Sequence, residues 1–143
     1  MSGQVARASA AIGSVVIRRA IKVDKEKISS LAKLLFPNSS LVEEEGDVFL
    51  IAEYEGKPAG FCHFRFRARS CFISGLGVLP EFRNHGLGTL LLSYALDIID
   101  RSGAQATFLK VRAINPASNL YVRFGFFEKR AGDTVVLERK KPS

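Results

Sequence analysis

The sequence predicts an α/β protein built on one mixed β-sheet. Three observations predict it. Short runs rich in β-branched and aromatic residues recur along the chain. Two longer segments place leucine and isoleucine at helical spacing. Their order is strand–helix, three strands, then helix–strand–helix and two strands. That order gives a meander followed by strand–helix–strand crossovers.

The elements follow one by one. Residues 14–20 (SVVIRRA) form a strand by their β-branched content. Asp24 precedes a helix over 25–36, with Ile28, Leu31, Leu34 and Leu35 on one side and Pro37-Asn38 as its stop. Asp24 is expected as its N-cap. Residues 39–47 make a polar loop carrying Glu43, Glu44, Glu45 and Asp47. Strands over 48–54, 59–67 and 70–78 are joined by a turn at 55–58 and a bend at Ala68-Arg69. A helix runs over 86–101 and ends at Gly103. A strand over 107–111, a short helix over 116–123 and a hairpin of strands 126–129 and 134–139 close the chain.

Length and composition fit this plan. The 143 residues are 47% hydrophobic, enough for one domain with a core. We assign residues 1–13 to a flexible tail and 14–143 to a single domain. The first twenty residues lack acids and hold three arginines. A tail running into the first strand explains them better than a transit peptide, and cytoplasm is the expected compartment. No apolar run reaches spanning length, so no membrane partner is expected. Two cysteines and two histidines are too few for a zinc site, so no metal is expected. The net charge of +7 favours anionic partners. The eleven phenylalanines lie in strand-like runs and read as core, which disfavours nucleic acid.

The stretch that carries chemistry is LGVLPEFRNHGLGT, residues 76–89. A strand ends, a proline-containing loop turns, and Arg83-x-x-Gly86-x-Gly88 opens a helix. The first amides of a helix lack internal partners and carry the positive end of its dipole. Glycines there let a phosphate approach the backbone, and Arg83 adds a cation. The spacing is neither the dinucleotide fingerprint nor a P-loop.

This stretch resembles the acyl-CoA pyrophosphate loop of the GNAT N-acetyltransferase superfamily, R/Q-x-x-G-x-G/A. Leu76, Val78 and Pro80 match the L-x-V-x-P strand that precedes it. Downstream, Ala117, Leu120, Tyr121, Gly125 and Phe126 match A-x-x-L-Y-x-x-x-G-F. The resemblance covers about residues 14–139. It implies a GNAT-like mixed, mostly antiparallel sheet flanked by helices, with a V-shaped split between strands four and five. The asparagine that the family often carries seven residues before the tyrosine is Ile114 here. Asn115 or Asn119 is the expected substitute. The long loop that N-terminal peptide acetyltransferases carry between their last two strands is replaced by a tight hairpin. That points away from the ribosomal-protein and N-terminal peptide branch.

The resemblance implies acetyl-CoA as co-substrate, lying in the split, and an amine acceptor, either a peptide α-amine or a small amine. Backbone groups of Leu76, Gly77 and Val78 would meet the pantetheine arm. Arg83, Asn84, His85, Gly86, Leu87, Gly88 and Thr89 would hold the pyrophosphate. Direct attack of the amine on the thioester needs a neutral amine, an oxyanion donor and a proton for the thiolate. The Val78 amide matches the oxyanion donor and Tyr121 matches the general acid.

Strand four lacks the expected carboxylate or histidine. If Ala68-Arg69 is the bend, His63 faces Ser74. Phe61, His63 and Arg65 then share a mixed face with Phe72, Ser74 and Leu76, which lines the acceptor cleft. His63 is the candidate base, with Glu53 and Glu81 as alternatives. In that register Cys62 and Cys71 share the other, apolar face too far apart to bond. A different class of reading is a non-catalytic acyl-CoA-binding or sensing module on the same fold. A homodimer is allowed by the chain.

Overall fold

The computed structural model describes residues 14–38, 43–112, 118–130 and 132–142. The expected tail, Asn115 and the start of the short helix at 116–117 lie outside the described residues. The elements are β1 (Val15–Arg19), α1 (Lys25–Leu35), β2 (Asp47–Tyr54), β3 (Lys57–Arg67), β4 (Ser70–Val78), α2 (Leu87–Ser102), β5 (Ala106–Arg112), α3 (Ser118–Arg123), β6 (Phe127–Arg130) and β7 (Thr134–Lys140). The strands form one sheet in the order β1-β2-β3-β4-β5-β7-β6. Every neighbouring pair is antiparallel except β4 and β5, which run parallel.

Period-two alternation sends side chains to opposite faces, and each face is packed differently. On one face Cys62, Phe64, Cys71, Ile73, Leu109 and Leu137 meet Leu91, Leu92, Ala95 and Ile99 of α2. On the other, Ile51 and Phe61 meet Ile28 and Leu31 of α1. Both cysteines are buried free thiols on the α2 face, and Cys71 pairs with Phe66 while Cys62 pairs with Leu76. The turn before β3 places Glu55 and Gly56 at positive φ, as a two-residue hairpin requires.

Three local expectations are corrected. Asp24 occupies the N-cap position of α1, but its side chain does not cap the helix. Instead it accepts from both terminal nitrogens of Arg18 at 2.7 and 2.8 Å and from the Ile21 amide at 2.8 Å. A bidentate charge-assisted contact outcompetes a single neutral cap.

His63 faces Gly75 rather than Ser74. The pairs from Arg67↔Ser70 to Phe64↔Ile73 keep the expected register, and the register then shifts between His63 and Phe64. β4 thus holds one extra residue, Ser74, and a bulge reverses the facing of all that follows.

Leu76 therefore joins the α2 face with Cys62, and Gly75 and Gly77 turn toward α1. A Cβ on Gly77 would stand 3.0 Å from Leu35 and 3.3 Å from Phe36, so glycine lets the end of α1 lie on the strand. As a result Phe61 and His63 are buried and do not line an open cleft.

Candidate active site

β4 and β5 pair only from Ser70↔Ala106 to Ile73↔Leu109. Beyond the bulge, residues 74–78 of β4 and 110–112 of β5 diverge, and the sheet opens as a fork. The Leu79 amide donates to Ala59 on β3. By alternation, Leu76 and Val78 present their N–H and C=O groups away from β3, into the fork. An extended chain laid there would complete the ladder.

At the end of β4 a 3-10 turn (Pro80–Phe82) leads to α2. Asn84 and Gly86 both take left-handed backbone, at φ 69° and 77°. Glycine suits the second position because it is the N-cap, where the chain must reverse tightly. The first helical bond there runs from the Leu90 amide to the Gly86 carbonyl. Among the described residues, the amides of Leu87, Gly88 and Thr89 reach no backbone acceptor, and no side chain caps them. This terminus suits a diphosphate. Arg83 is anchored by its Nε, 3.0 Å from the Val78 carbonyl, and the rest of its guanidinium is exposed. The exposed His85 ring stacks on Tyr54 with centroids 4.8 Å apart, which fixes the outer side of the loop.

α3 stands beside the fork. A Cβ on Gly88 would lie 4.0 Å from side-chain methyls of both Leu120 and Val78, so α2, α3 and the end of β4 meet here. Arg139 pins α3 to α2. Its Nε donates to the Phe124 carbonyl at 2.8 Å, and its terminal nitrogens meet the Asp100 carboxylate at 2.9 and 3.0 Å. Tyr121 is buried on the α2 face and packs edge-on against Phe126. Burial, with Cys62 nearby, pushes its phenol up to about 12. A phenol so placed is protonated at neutral pH and able to donate. Asn119 is exposed on α3.

The structure does not bring His63 into the fork beside Tyr121. Its ring stacks on Phe49 at 4.2 Å, and Nε2 stands 3.2 Å from Asp47 on β2, out of line for a hydrogen bond. Asp47 also accepts from Arg65 and from the Glu44 amide. Burial raises this carboxyl, but Arg65, the Glu44 amide and His63 outweigh it and hold Asp47 at about 2. Sequence reasoning missed Asp47, taking it as part of a solvated acidic loop. Glu44 likewise faces Arg65 and Arg67, at 3.5 and 3.8 Å. Of the alternative bases, Glu53 pairs with Arg18 and Lys27, and Glu81 is exposed in the turn.

Among the described residues, two of the cavities flank the sheet on the α1 face. The larger, about 740 Å³, lies near the β1–α1 junction beside Ile21, Lys25 and Phe49, away from the fork. The smaller, about 340 Å³, sits at the foot of the fork, between Phe72, Ser74, Phe108 and Lys110. The smaller one is the cavity that adjoins the unpaired strands.

Residues 12–126 match the acetyltransferase (GNAT) family. The chain belongs to that family. The fork and the open helix terminus are thus its family's architecture in this sequence. An N-alpha-acetyltransferase of Sulfolobus acidocaldarius is 33% identical over 101 residues, 61% of this chain and 60% of that protein. This chain spans less than two thirds of the length of the curated relatives it matches, 57% and 60% for two of them.

The crystal structure of the Escherichia coli ribosomal-protein-S18-alanine N-acetyltransferase superposes with a TM-score of 0.79 at 19% identity, covering 91% of this chain and 96% of that one. Arabidopsis thaliana Naa50, solved with the bisubstrate analogue CoA-Ac-MVNAL, superposes at 0.79 and 21%, covering 89% and 99%. Both show that this GNAT domain shares their fold. The tight β6–β7 hairpin pointed away from the ribosomal-protein and N-terminal peptide branch, yet those are the names such relatives carry.

Proposed function

We propose that this chain is an acetyl-CoA-dependent N-acetyltransferase acting on a primary α-amine by direct attack. The observation that carries it is the fork between β4 and β5, with the open amides of α2 at its α2 side. In this reading Leu76 and Val78 hold the pantetheine arm, and the Val78 amide polarises the carbonyl. Gly77 keeps α1 close enough to back the strand. Arg83 and residues 84–89, His85 included, receive the pyrophosphate. Asn119, with Asn115 outside the described residues, flanks the arm from α3.

The neutral amine attacks the thioester carbon, a C–N bond forms and the C–S bond breaks. Tyr121 gives its proton to the departing sulfur, and the amine's surplus proton leaves to the base side. His63 acts there through water, with its ring held by stacking on Phe49, because its own position turns it toward β2. His63→Ala is then expected to change the shape of the pH–rate profile. An unaltered profile would remove His63 from the reaction.

Thiol release from acetyl-CoA, measured over α-amine peptides, lysine and polyamines, tests the activity itself. Turnover with α-amines is the expected result. Binding of acetyl-CoA without turnover on any amine would leave a binding or sensing module instead.

A further inference from the structure

The α1 face of the sheet is covered unevenly. α1 lies over β2, β3 and the glycines of β4. Among the described residues no helix packs on the β5–β7–β6 part of that face. There the register aligns Phe108, Glu138 and Phe127 across three strands. Phe72 stacks on Phe108 with centroids 5.4 Å apart and planes 22° apart. Phe72 is 41% exposed and Phe127 45%, so this aromatic row meets solvent.

The cavity at the foot of the fork opens on this row. Phe72, Ser74, Phe108, Lys110 and Val136 line it on this face. Lys110 is the first residue of β5 beyond its last pair with β4 and points to the same face as Phe108. It is exposed, and among the described residues it has no ion-pair partner. Among the described residues no carboxylate lines the cavity. The nearest on the row, Glu138, is buried and already held by Lys129 at 3.0 Å. The face beside the fork is thus apolar and cationic. The terminus suited to a diphosphate lies on the opposite, α2 face, which leaves this side for the acceptor.

We propose that this cavity selects the acceptor: a peptide α-amine followed within its first three residues by an aromatic or large aliphatic side chain and a carboxylate. The apolar side chain would lie on Phe72 and Phe108, and the carboxylate would meet Lys110. The row continuing to Phe127 and Lys129 gives an extended peptide more surface than a free amino acid could use. The inference rests on the transferase reading for its chemistry, but its binding claim stands apart from turnover.

Two readouts keep the two readings distinguishable. Thiol release and calorimetric peptide binding in the presence of CoA are measured on four peptides with N-termini Phe-Glu, Phe-Lys, Ala-Glu and Ala-Lys, and on free phenylalanine. The wild type should favour Phe-Glu over Phe-Lys by about tenfold, as one partly desolvated ion pair gives. Lys110→Glu should reverse that order, and Phe72→Ala should erase the preference for Phe over Ala. Thermal midpoints near wild type would show both variants folded.

The same order in Lys110→Glu as in wild type overturns the proposal. So does free phenylalanine binding as tightly as the Phe-Glu peptide. Peptide binding that inverts with Lys110→Glu, but without any thiol release, would keep the pocket and discard the transferase reading.

Discussion

The two halves of β4 differ more than any two elements of the fold. Residues 70–73 are paired on both sides, to β3 and to β5. Past Ser74 the strand is paired only to β3. The first half sends Cys71 and Ile73 into the core, with Cys71 fully buried and burial pushing its thiol up to about 12. The second half carries two glycines, an exposed ladder edge and the loop that opens α2. One inserted residue separates them. A bulge ends the parallel pairing, turns Leu76 into the α2 core and leaves backbone groups unspent. Backbone polar groups seek partners, so in the proposed function the unspent edge beside an open helix terminus serves as the binding surface.

The largest effect is expected where α3 meets the open half. Tyr121→Phe keeps the ring packed on Phe126 and removes only the hydroxyl. Turnover should fall by roughly 10²–10⁴-fold with acetyl-CoA affinity nearly unchanged. Retained turnover in a folded variant would take the acid out of the mechanism.

A smaller effect is expected in the closed, α1-covered part of the sheet. The Asp47 side chain is 1% exposed and bridges β2 to Arg65 and His63 on β3. Asp47→Asn should lower stability, read by denaturant unfolding, because Arg65 exchanges charge-assisted hydrogen bonds to a carboxylate for neutral ones, with Glu44 still beside it. Asp47 and Asp24 are each held at about 2, against about 3.9 for a free aspartate. Their folded values are depressed. Their stabilisation is therefore complete above about pH 4 and is lost as pH falls toward 2. The Asn variant should lose less stability over that interval than the wild type. Equal losses would show that Asp47 is not linked to folding.

A third substitution returns to the loop after β4. Arg83→Ala should weaken acetyl-CoA binding by about 1–2 kcal/mol and leave the thermal midpoint unchanged, because Arg83 is exposed. Calorimetry that finds full affinity would remove this cation from the site.

Much of this was legible in the sequence. The helical spacing of Leu87, Leu91, Ala95 and Ile99 and the alternation in β2 and β3 report burial directly. Arg83-x-x-Gly86-x-Gly88 marked the helix start because glycine and charge at that spacing have a chemical use. The bulge was not legible. A one-residue insertion shows as broken alternation only where apolar side chains mark the faces, and here it falls between Ser74 and two glycines. Gly75 and Gly77 inside a strand were the available sign of a bulge or a close backbone approach. Asp24 and Asp47 were misread for another reason. Their partners Arg18 and Arg65 lie on strands whose pairing had to be known first. Lys110 passed as an ordinary strand lysine until the fork gave it a place.

Residue-resolved amide hydrogen exchange with and without CoA compares the two halves of β4 most directly. The amides of Leu76 and Val78, and those of Leu87, Gly88 and Thr89, should slow when CoA binds. Those of Phe72 and Ile73, already inside the paired ladder, should not change. Binding of CoA that leaves Leu76, Val78 and the α2 amides exchanging as before would contradict the fork as the site.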